Sequence, residues 1–168
     1  MAPSTSLTDF SIRHHLKAGD VGAIVFLHGV VYAREYGFDP TFEAYVAGPL
    51  AEFVLHSNER SRLWIVERSE RLVGCIAIVE VSDKEAQLRW FLVDPSARGH
   101  GLGTRLMQEA TAFATQRRYQ SVFLWTVSAL TTAARLYREA GFVKVEETPG
   151  RHWGVEVIEE RYVLDLRL

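Results

Sequence analysis

The sequence is poor in cysteine, methionine and proline, carries no excess of charge of either sign, and has no long hydrophobic run. A single cysteine, Cys75, stands among 168 residues, so an internal disulfide is excluded. Its place inside an apolar segment suits a small buried hydrophobe in a reducing, cytoplasmic setting. Lys and Arg number 19 against 21 Asp and Glu, a formal net charge of −2, which leaves no surplus of cations to condense on a nucleic-acid backbone. A small or neutral partner is expected instead. Stretches such as Val73 to Val81 fall far below the roughly 20 apolar residues that cross a bilayer. The start, MAPSTSLTDF, has no basic region followed by an apolar run, so neither export nor membrane insertion is expected. His14, His15, His56, His100 and His152 recur at no metal-ligand spacing, and no metal site is expected.

What is present is 48% hydrophobic residues, enough to bury a substantial core in one domain spanning residues 1–168. Phe10 to Arg13 reads as a short strand. Gly19-Asp20 then opens a helix with Val21, Ile24, Val25, His28, Val31, Tyr32 and Glu35 at helical spacings. EYGFDP breaks it, and Thr41 to His56 reads as a second helix that Gly48-Pro49 should kink or interrupt, because proline lacks the amide donor. Residues 62–68 and 71–80 form a hairpin about Ser69-Glu70, and Leu88 to Val93 is the next strand. Leu102, Leu106, Ala110 and Phe113 lie on one stripe of a third helix. Ser121 to Thr126 is a strand expected beside Leu88 to Val93. Thr131 to Ala140 is a fourth helix stopped by Gly141, and 142–147 and 156–166 are closing strands joined by the loop TPGRHWG. The fold class is α/β: a mixed, largely antiparallel sheet of six or seven strands with four helices on both faces.

The segment from Val93 to Thr104, VDPSARGHGLGT, carries the clearest chemistry. It runs from a strand end through a glycine-rich turn into a helix. First-turn amides lack internal acceptors and sit at the positive end of the helix dipole, so a phosphate placed there satisfies them. Gly99, Gly101 and Gly103 remove the β-carbons that keep a pyrophosphate from the main chain, and Arg98 and Arg105 add positive charge. The loop lacks the GxxxxGK[ST] form, and Leu106 stands where GxGxxG from Gly101 needs glycine, which disfavours ATP hydrolysis and dinucleotide binding. A turn whose glycines serve only the backbone remains the alternative.

Arg98-x-x-Gly101-x-Gly103 after a strand ending Leu92-Val93, followed by Ala133-Ala134-Arg135-Leu136-Tyr137-Arg138-Glu139-Ala140-Gly141-Phe142, resembles the cofactor loop and next helix of the GNAT superfamily of N-acetyltransferases. The resemblance covers residues 72 to 148. More loosely, HGVVYAREYGFDPTFEAYV, RHWG and RYVLDL resemble the acetyltransferase half of bacterial MarR-type helix-turn-helix/acetyltransferase fusions. The resemblance implies a sheet splayed between strands 88–93 and 121–126, with the pantetheine of acetyl-CoA in the gap. Leu92 and Val93 would offer main-chain groups to it. Arg98, Gly99, His100, Gly101, Leu102, Gly103 and Thr104 would hold the pyrophosphate, with further contacts from Thr131, Ala134 and Tyr137. Where many members carry asparagine this chain has Leu130, with the hydroxyls of Ser128, Thr131 and Thr132 nearby. A homodimer through the C-terminal strands is implied by analogy alone.

For acyl transfer to an amine, Tyr137 is the candidate acid, since a phenol of pKa about 10 can donate to a leaving thiolate of pKa about 8.5. The attacking amine must be neutral, and one of pKa about 10.4 needs roughly 4 to 5 kcal/mol to lose its proton at neutral pH. Glu35, on the same helix face as His28 and Tyr32, is the candidate base, with Glu43 behind it. His28, Tyr32, Glu35, Trp125 and Trp153 are the candidate acceptor-side residues. Each also reads as an ordinary packed or solvated residue. Glu146, Glu147, Glu156, Glu159 and Glu160 form an acidic cluster that either draws in a cationic amine or edges an exposed hairpin. The expected activity is acetyl transfer to an amine of a small molecule or protein; the rival is an inactive acyl-CoA-binding sensor.

Overall fold

The computed structural model describes residues 9–167. Residues 1–8, on which most of the export expectation rests, lie outside it. The chain opens with β1 (Ser11–Arg13) and α1 (Asp20–Tyr36). Gly19 and Gly37 bracket α1 in the left-handed region, at φ 94 and 73. The Arg13 guanidinium grips Asp20 at 2.7 and 2.8 Å, a charge-assisted pair that fastens the start of α1 to the sheet edge.

α2 (Thr41–His56) runs unbroken through Pro49, which corrects the expected interruption. Phe42, Val46, Leu50 and Phe53 are all buried on one stripe. Burying four such side chains at roughly 1.5 to 3 kcal/mol each outweighs the ~3 kcal/mol an interior proline costs.

β2 (Arg62–Arg68) and β3 (Arg71–Glu80) pair antiparallel about Ser69 and Glu70, both at positive φ, the turn whose twist matches a hairpin. β4 (Glu85–Val93) begins three residues before the expected Leu88. A 3-10 turn over Pro95–Ala97 leads to α3 (Leu102–Gln116), then β5 (Ser121–Val127) and α4 (Thr131–Glu139). β6 (Val143–His152) and β7 (Val155–Asp165) complete the chain. The expected seven-residue closing loop is absent: β6 takes up Thr148 to His152, and only Trp153 and Gly154, both at positive φ, make the turn.

The seven strands form one sheet in the order β1-β2-β3-β4-β5-β7-β6, mixed in direction and largely antiparallel, with a single parallel pair, β4 with β5. One core joins the sheet to α3 and α4 through Leu102, Leu106, Phe113, Ala134 and Tyr137. The other joins it to α1 and α2 through Ile24, Tyr32, Phe42 and Leu50.

Two irregularities open the sheet. β4 pairs with β5 only at Glu85, Ala86 and Gln87, so past Gln87 the strands part and β4 has no ladder partner on that side. Opposite β3 the register slips between Cys75 and Ala77, and Trp90 sits at φ 49. This β-bulge inserts one extra residue and reverses the side-chain alternation. Ala86 and Leu88 accordingly join the α3 core, whereas Trp90 and Leu92 join the α1 and α2 core.

Candidate functional site

The gap between β4 and β5 holds two adjoining cavities. Tyr32, Phe91 and Leu130 line both. The larger, about 280 Å³, is bounded by Leu92, Val93, Arg98, Gly99, Gly101, Leu102, Gly103 and Thr104. Its floor is the uncapped start of α3: Gly101 is the N-cap, at φ 74, and no side chain caps the helix. The amides of Leu102, Gly103 and Thr104 therefore lack intrahelical acceptors, and these residues line the cavity, as residues of an anion site would. A β-carbon at Gly103 would lie 2.9 Å from Leu136 Cδ1, so the Leu136 side chain would have to shift to admit one. Asp94 fixes the entering chain by accepting from Ser96 N at 2.8 Å and Ser96 Oγ at 2.6 Å.

Several expected contacts sit elsewhere. The His100 ring turns back to the Ala97 carbonyl, 3.2 Å from Nδ1, and packs against Phe10; it does not line the cavity. On α4 the cavity is faced by Thr132, Ala133, Arg135 and Leu136 instead of Thr131 and Ala134, because Ala134 belongs to the buried stripe. Arg135, and not Arg105, supplies the second guanidinium of the wall. Helical periodicity marked the α4 segment but, with alanine at both 133 and 134, not the face turned to the gap.

Glu35 is the larger surprise. Its carboxylate receives the Arg98 guanidinium at 2.7 and 3.1 Å, while Arg98 Nε donates to the Val93 carbonyl at 3.0 Å. That fork ties α1 to the glycine loop and puts Glu35 on the wall of the larger cavity, outside the smaller one.

The second cavity, about 100 Å³, is lined by His28, Phe42, Tyr45, Arg89, Trp90, Trp125, Trp153, Glu159 and Tyr137, among others. Of the residues expected on the acceptor side, His28, Tyr32, Trp125 and Trp153 are gathered here and Glu35 is not. Trp153 is held by Phe38, Phe42 and Tyr45, with ring centroids 4.9 to 5.1 Å apart. Glu159 is the one carboxylate on this wall among the described residues and meets His152 Nε2 at 3.2 Å. Glu43 does not line it.

Tyr137 lines the second cavity, buried against Phe91, Phe142 and Tyr162. Burial pushes its hydroxyl well above the ordinary tyrosine value, Tyr162 adds to this, and the neighbouring Thr126 hydroxyl draws it partly back. Thr126 Oγ1 is itself buried with no well-formed hydrogen bond. His28, fully buried, has its Nδ1 2.8 Å from the Ile24 carbonyl. A carbonyl only accepts, so Nδ1 carries the proton and Nε2 keeps its lone pair. Burial lowers the His28 pKa to about 4, so the ring is neutral at physiological pH.

A mixed sheet parted at two central strands, with a bare helix N-terminus bordering one cavity of the gap and Tyr137 lining the other, is the arrangement of a coenzyme A-type acyltransferase cleft. The acetyltransferase (GNAT) family model matches residues 29–142, and the chain belongs to that family. The family expected from the sequence is thus the one found, and its enzyme class is acetyl-CoA-dependent N-acetyltransferase. An uncharacterized N-acetyltransferase of Schizosaccharomyces pombe is 30% identical over 118 residues, covering 68% of this chain and 72% of that protein. N-acetyltransferase family 8 member 3 of Rattus norvegicus is 32% identical over 96 residues, 54% of this chain and 42% of that protein. The matched stretch thus spans less than half of that relative's length. Among solved structures, yncA of Salmonella typhimurium, described with its cofactor acetyl-CoA, superposes with a TM-score of 0.70 at 18% identity, covering 95% of each chain.

Proposed function

We propose that the protein moves the acetyl group of acetyl-CoA to the amine of a small molecule by direct attack on the thioester, as one acetyltransferase domain over residues 1–168. The observation that carries this reading is the uncapped N-terminus of α3, which borders one cavity of the gap while Tyr137 lines the adjoining one. Acetyl-CoA supplies an activated acyl carbon and a stable leaving thiolate. First-turn amides of α3, with Arg98 and Arg135 beside them, neutralise the pyrophosphate. Leu92 and Val93, on the unpaired edge of β4, present main-chain groups to the pantetheine.

Tyr137 holds its proton toward the leaving sulfur. Because burial raises its pKa, it stays protonated across the working pH range and acts chiefly by hydrogen bonding to developing negative charge. The proton released by the amine is assigned to Glu159 through water, in place of the Glu35 expected earlier, since the Glu35 carboxylate is engaged by Arg98. The neutral His28 Nε2 adds an acceptor on the same side.

The segments resembling the MarR-type fusions, HGVVYAREYGFDPTFEAYV and RHWG, contribute His28, Tyr32, Phe42 and Trp153 to the acceptor cavity, so that likeness is read as one of acceptor sites. A homodimer is proposed along the edge strand β6, where Val143 and Val145 are exposed. The unpaired Cys75 thiol, pushed up to about 12 by burial, suits a cytoplasmic setting.

The test is release of free coenzyme A thiol across a panel of amines, alongside thermal-shift measurements with acetyl-CoA, ATP and NAD. Turnover with stabilisation by acetyl-CoA is expected. Binding with no turnover on any amine favours an acyl-CoA-binding module, and stabilisation by a nucleotide alone rejects the assignment.

A further inference from the structure

Arg89 is a partly buried cation on the acceptor side, and among the described residues no carboxylate forms an ion pair with it. Arg13 meets Asp20 and Glu67, Arg60 meets Glu80, and Arg98 meets Glu35, while Arg62 and Arg117 rest on the Phe113 ring away from either cavity of the gap. Arg89 is the guanidinium that borders the second cavity. Among the described residues Arg89 meets Gln87 Oε1 at 3.5 Å and the Trp90 ring, 5.2 Å from its carbon Cζ, with Tyr45 nearby. Holding a guanidinium in such a place is costly unless something pairs with it. Desolvation lowers its pKa, in keeping with a cation short of partners. The fold also aims it. Arg89 sits immediately before the bulge, so Arg89 and Trp90 both border the acceptor cavity. The carboxylate on that wall, Glu159, forms no ion pair with Arg89 and lies 3.2 Å from His152 Nε2. A positive and a negative group thus border one cavity whose wall also carries the aromatic rings of Phe42, Tyr45 and Trp153.

We propose that the acceptor is an amine that carries its own carboxylate: Arg89 binds that carboxylate, and the acceptor's apolar part rests on the Phe42, Tyr45 and Trp153 wall. This rests on the acetyl-transfer reading above. In the transfer the amine nitrogen forms a bond to the acetyl carbon as the carbon–sulfur bond breaks. The nitrogen gives up one proton, the sulfur takes one, and the carboxylate is unchanged. A planar guanidinium suits this role because it pairs with a carboxylate through two parallel hydrogen bonds, and so fixes the amine's direction as well as its distance.

The experiment uses matched sets: phenylalanine, methionine and leucine, each with its α-amide and its decarboxylated amine, with spermidine as a cationic control. kcat/KM is measured by thiol release for the wild type, Arg89→Gln and Arg89→Lys. The wild type should prefer acids over their amides by roughly 10- to 100-fold, the worth of a hydrogen-bonded charge pair. In Arg89→Gln the preference should fall to within about 3-fold while the acetyl-CoA dissociation constant stays put, and Arg89→Lys should lie between. Preference for amides or spermidine in the wild type, or a preference for acids that survives in Arg89→Gln, overturns the proposal. If acetyl-CoA binds but no amine is acetylated, the transfer reading fails. Quenching of tryptophan fluorescence by the same ligands, with coenzyme A bound, then decides Arg89 separately. Binding of acids that is lost in Arg89→Gln upholds it, and binding absent or indifferent to the substitution refutes it. Should Arg89→Gln not fold, the acid-to-amide ratio of the wild type and the Arg89→Lys result carry the test.

Discussion

His28 makes stability fall on the acidic side, and the size of the fall follows from its burial. The ring is fully enclosed on α1, stacked 5.9 Å from Tyr32, and burial holds its folded pKa near 4 against an ordinary 6.5. Below pH 6.5 the unfolded chain takes up a proton at this residue and the folded chain does not, so acid favours unfolding. The contribution is unaffected above pH 6.5 and is lost progressively between pH 6.5 and 4. Between pH 7.5 and pH 5.0 it amounts to about 2 kcal/mol, a large share of the 5 to 15 kcal/mol typical of a domain. His28→Phe keeps a ring beside Tyr32 and removes the titration. Urea unfolding of both proteins at pH 7.5 and 5.0 gives the double difference, in which the other histidines and carboxylates cancel. The wild type should lose about 2 kcal/mol more than His28→Phe over that interval. Equal losses would mean that His28 is protonated in the folded state at pH 5, and the enclosed, neutral ring would be wrong.

Tyr137→Phe should lower kcat roughly 10- to 100-fold with little change in the acetyl-CoA dissociation constant; steady-state thiol release with calorimetry measures both, and an unchanged kcat removes Tyr137 from the acid role. Because burial raises the Tyr137 pKa, the wild-type kcat profile should show no alkaline decline below about pH 10, and a decline near pH 8 or 9 would contradict it. Gly101→Trp should raise the acetyl-CoA dissociation constant at least about 10-fold and destabilise the fold by roughly 1 to 2 kcal/mol, the penalty of a side chain in the left-handed region; unaltered binding by the folded variant counts against the loop. Glu35→Gln should leave the acidic limb of the kcat profile in place and tighten acetyl-CoA binding by a few-fold, since it frees Arg98 from an exposed pair worth about 0.2 to 1 kcal/mol; loss of that limb would restore Glu35 as the base.

Much of this molecule is written in local pattern. Alternating and helical spacings mark the four helices and the seven strands, within about three residues at each end except where β6 runs on to His152. Gly99, Gly101 and Gly103 mark a turn where a phosphate could approach the main chain, the ground for the proposed anion site. Local pattern fails where distant parts decide. Pro49 predicts a break in α2, yet the burial of Phe42, Val46, Leu50 and Phe53 overrides the missing hydrogen bond. TPGRHWG carries turn-forming residues and so reads as a loop, but pairing with Val155 to Glu159 draws five of its residues into β6.

β4 marks the boundary between the two kinds of information. Ala86, Leu88, Trp90 and Leu92 alternate without a fault, so the sequence by itself determined that a strand runs there and ends in the glycine loop. Only the tertiary structure decided that the bulge at Trp90 sends the second pair to the opposite face and places Arg89 and Trp90 in the acceptor cavity. The same holds for Glu35 and Arg98, 63 positions apart. Caps, turns and periodicity act over a few residues and leave their mark in composition. A bulge or a long-range ion pair is chosen by how two faces of one sheet pack at once, and no short stretch of chain contains that choice.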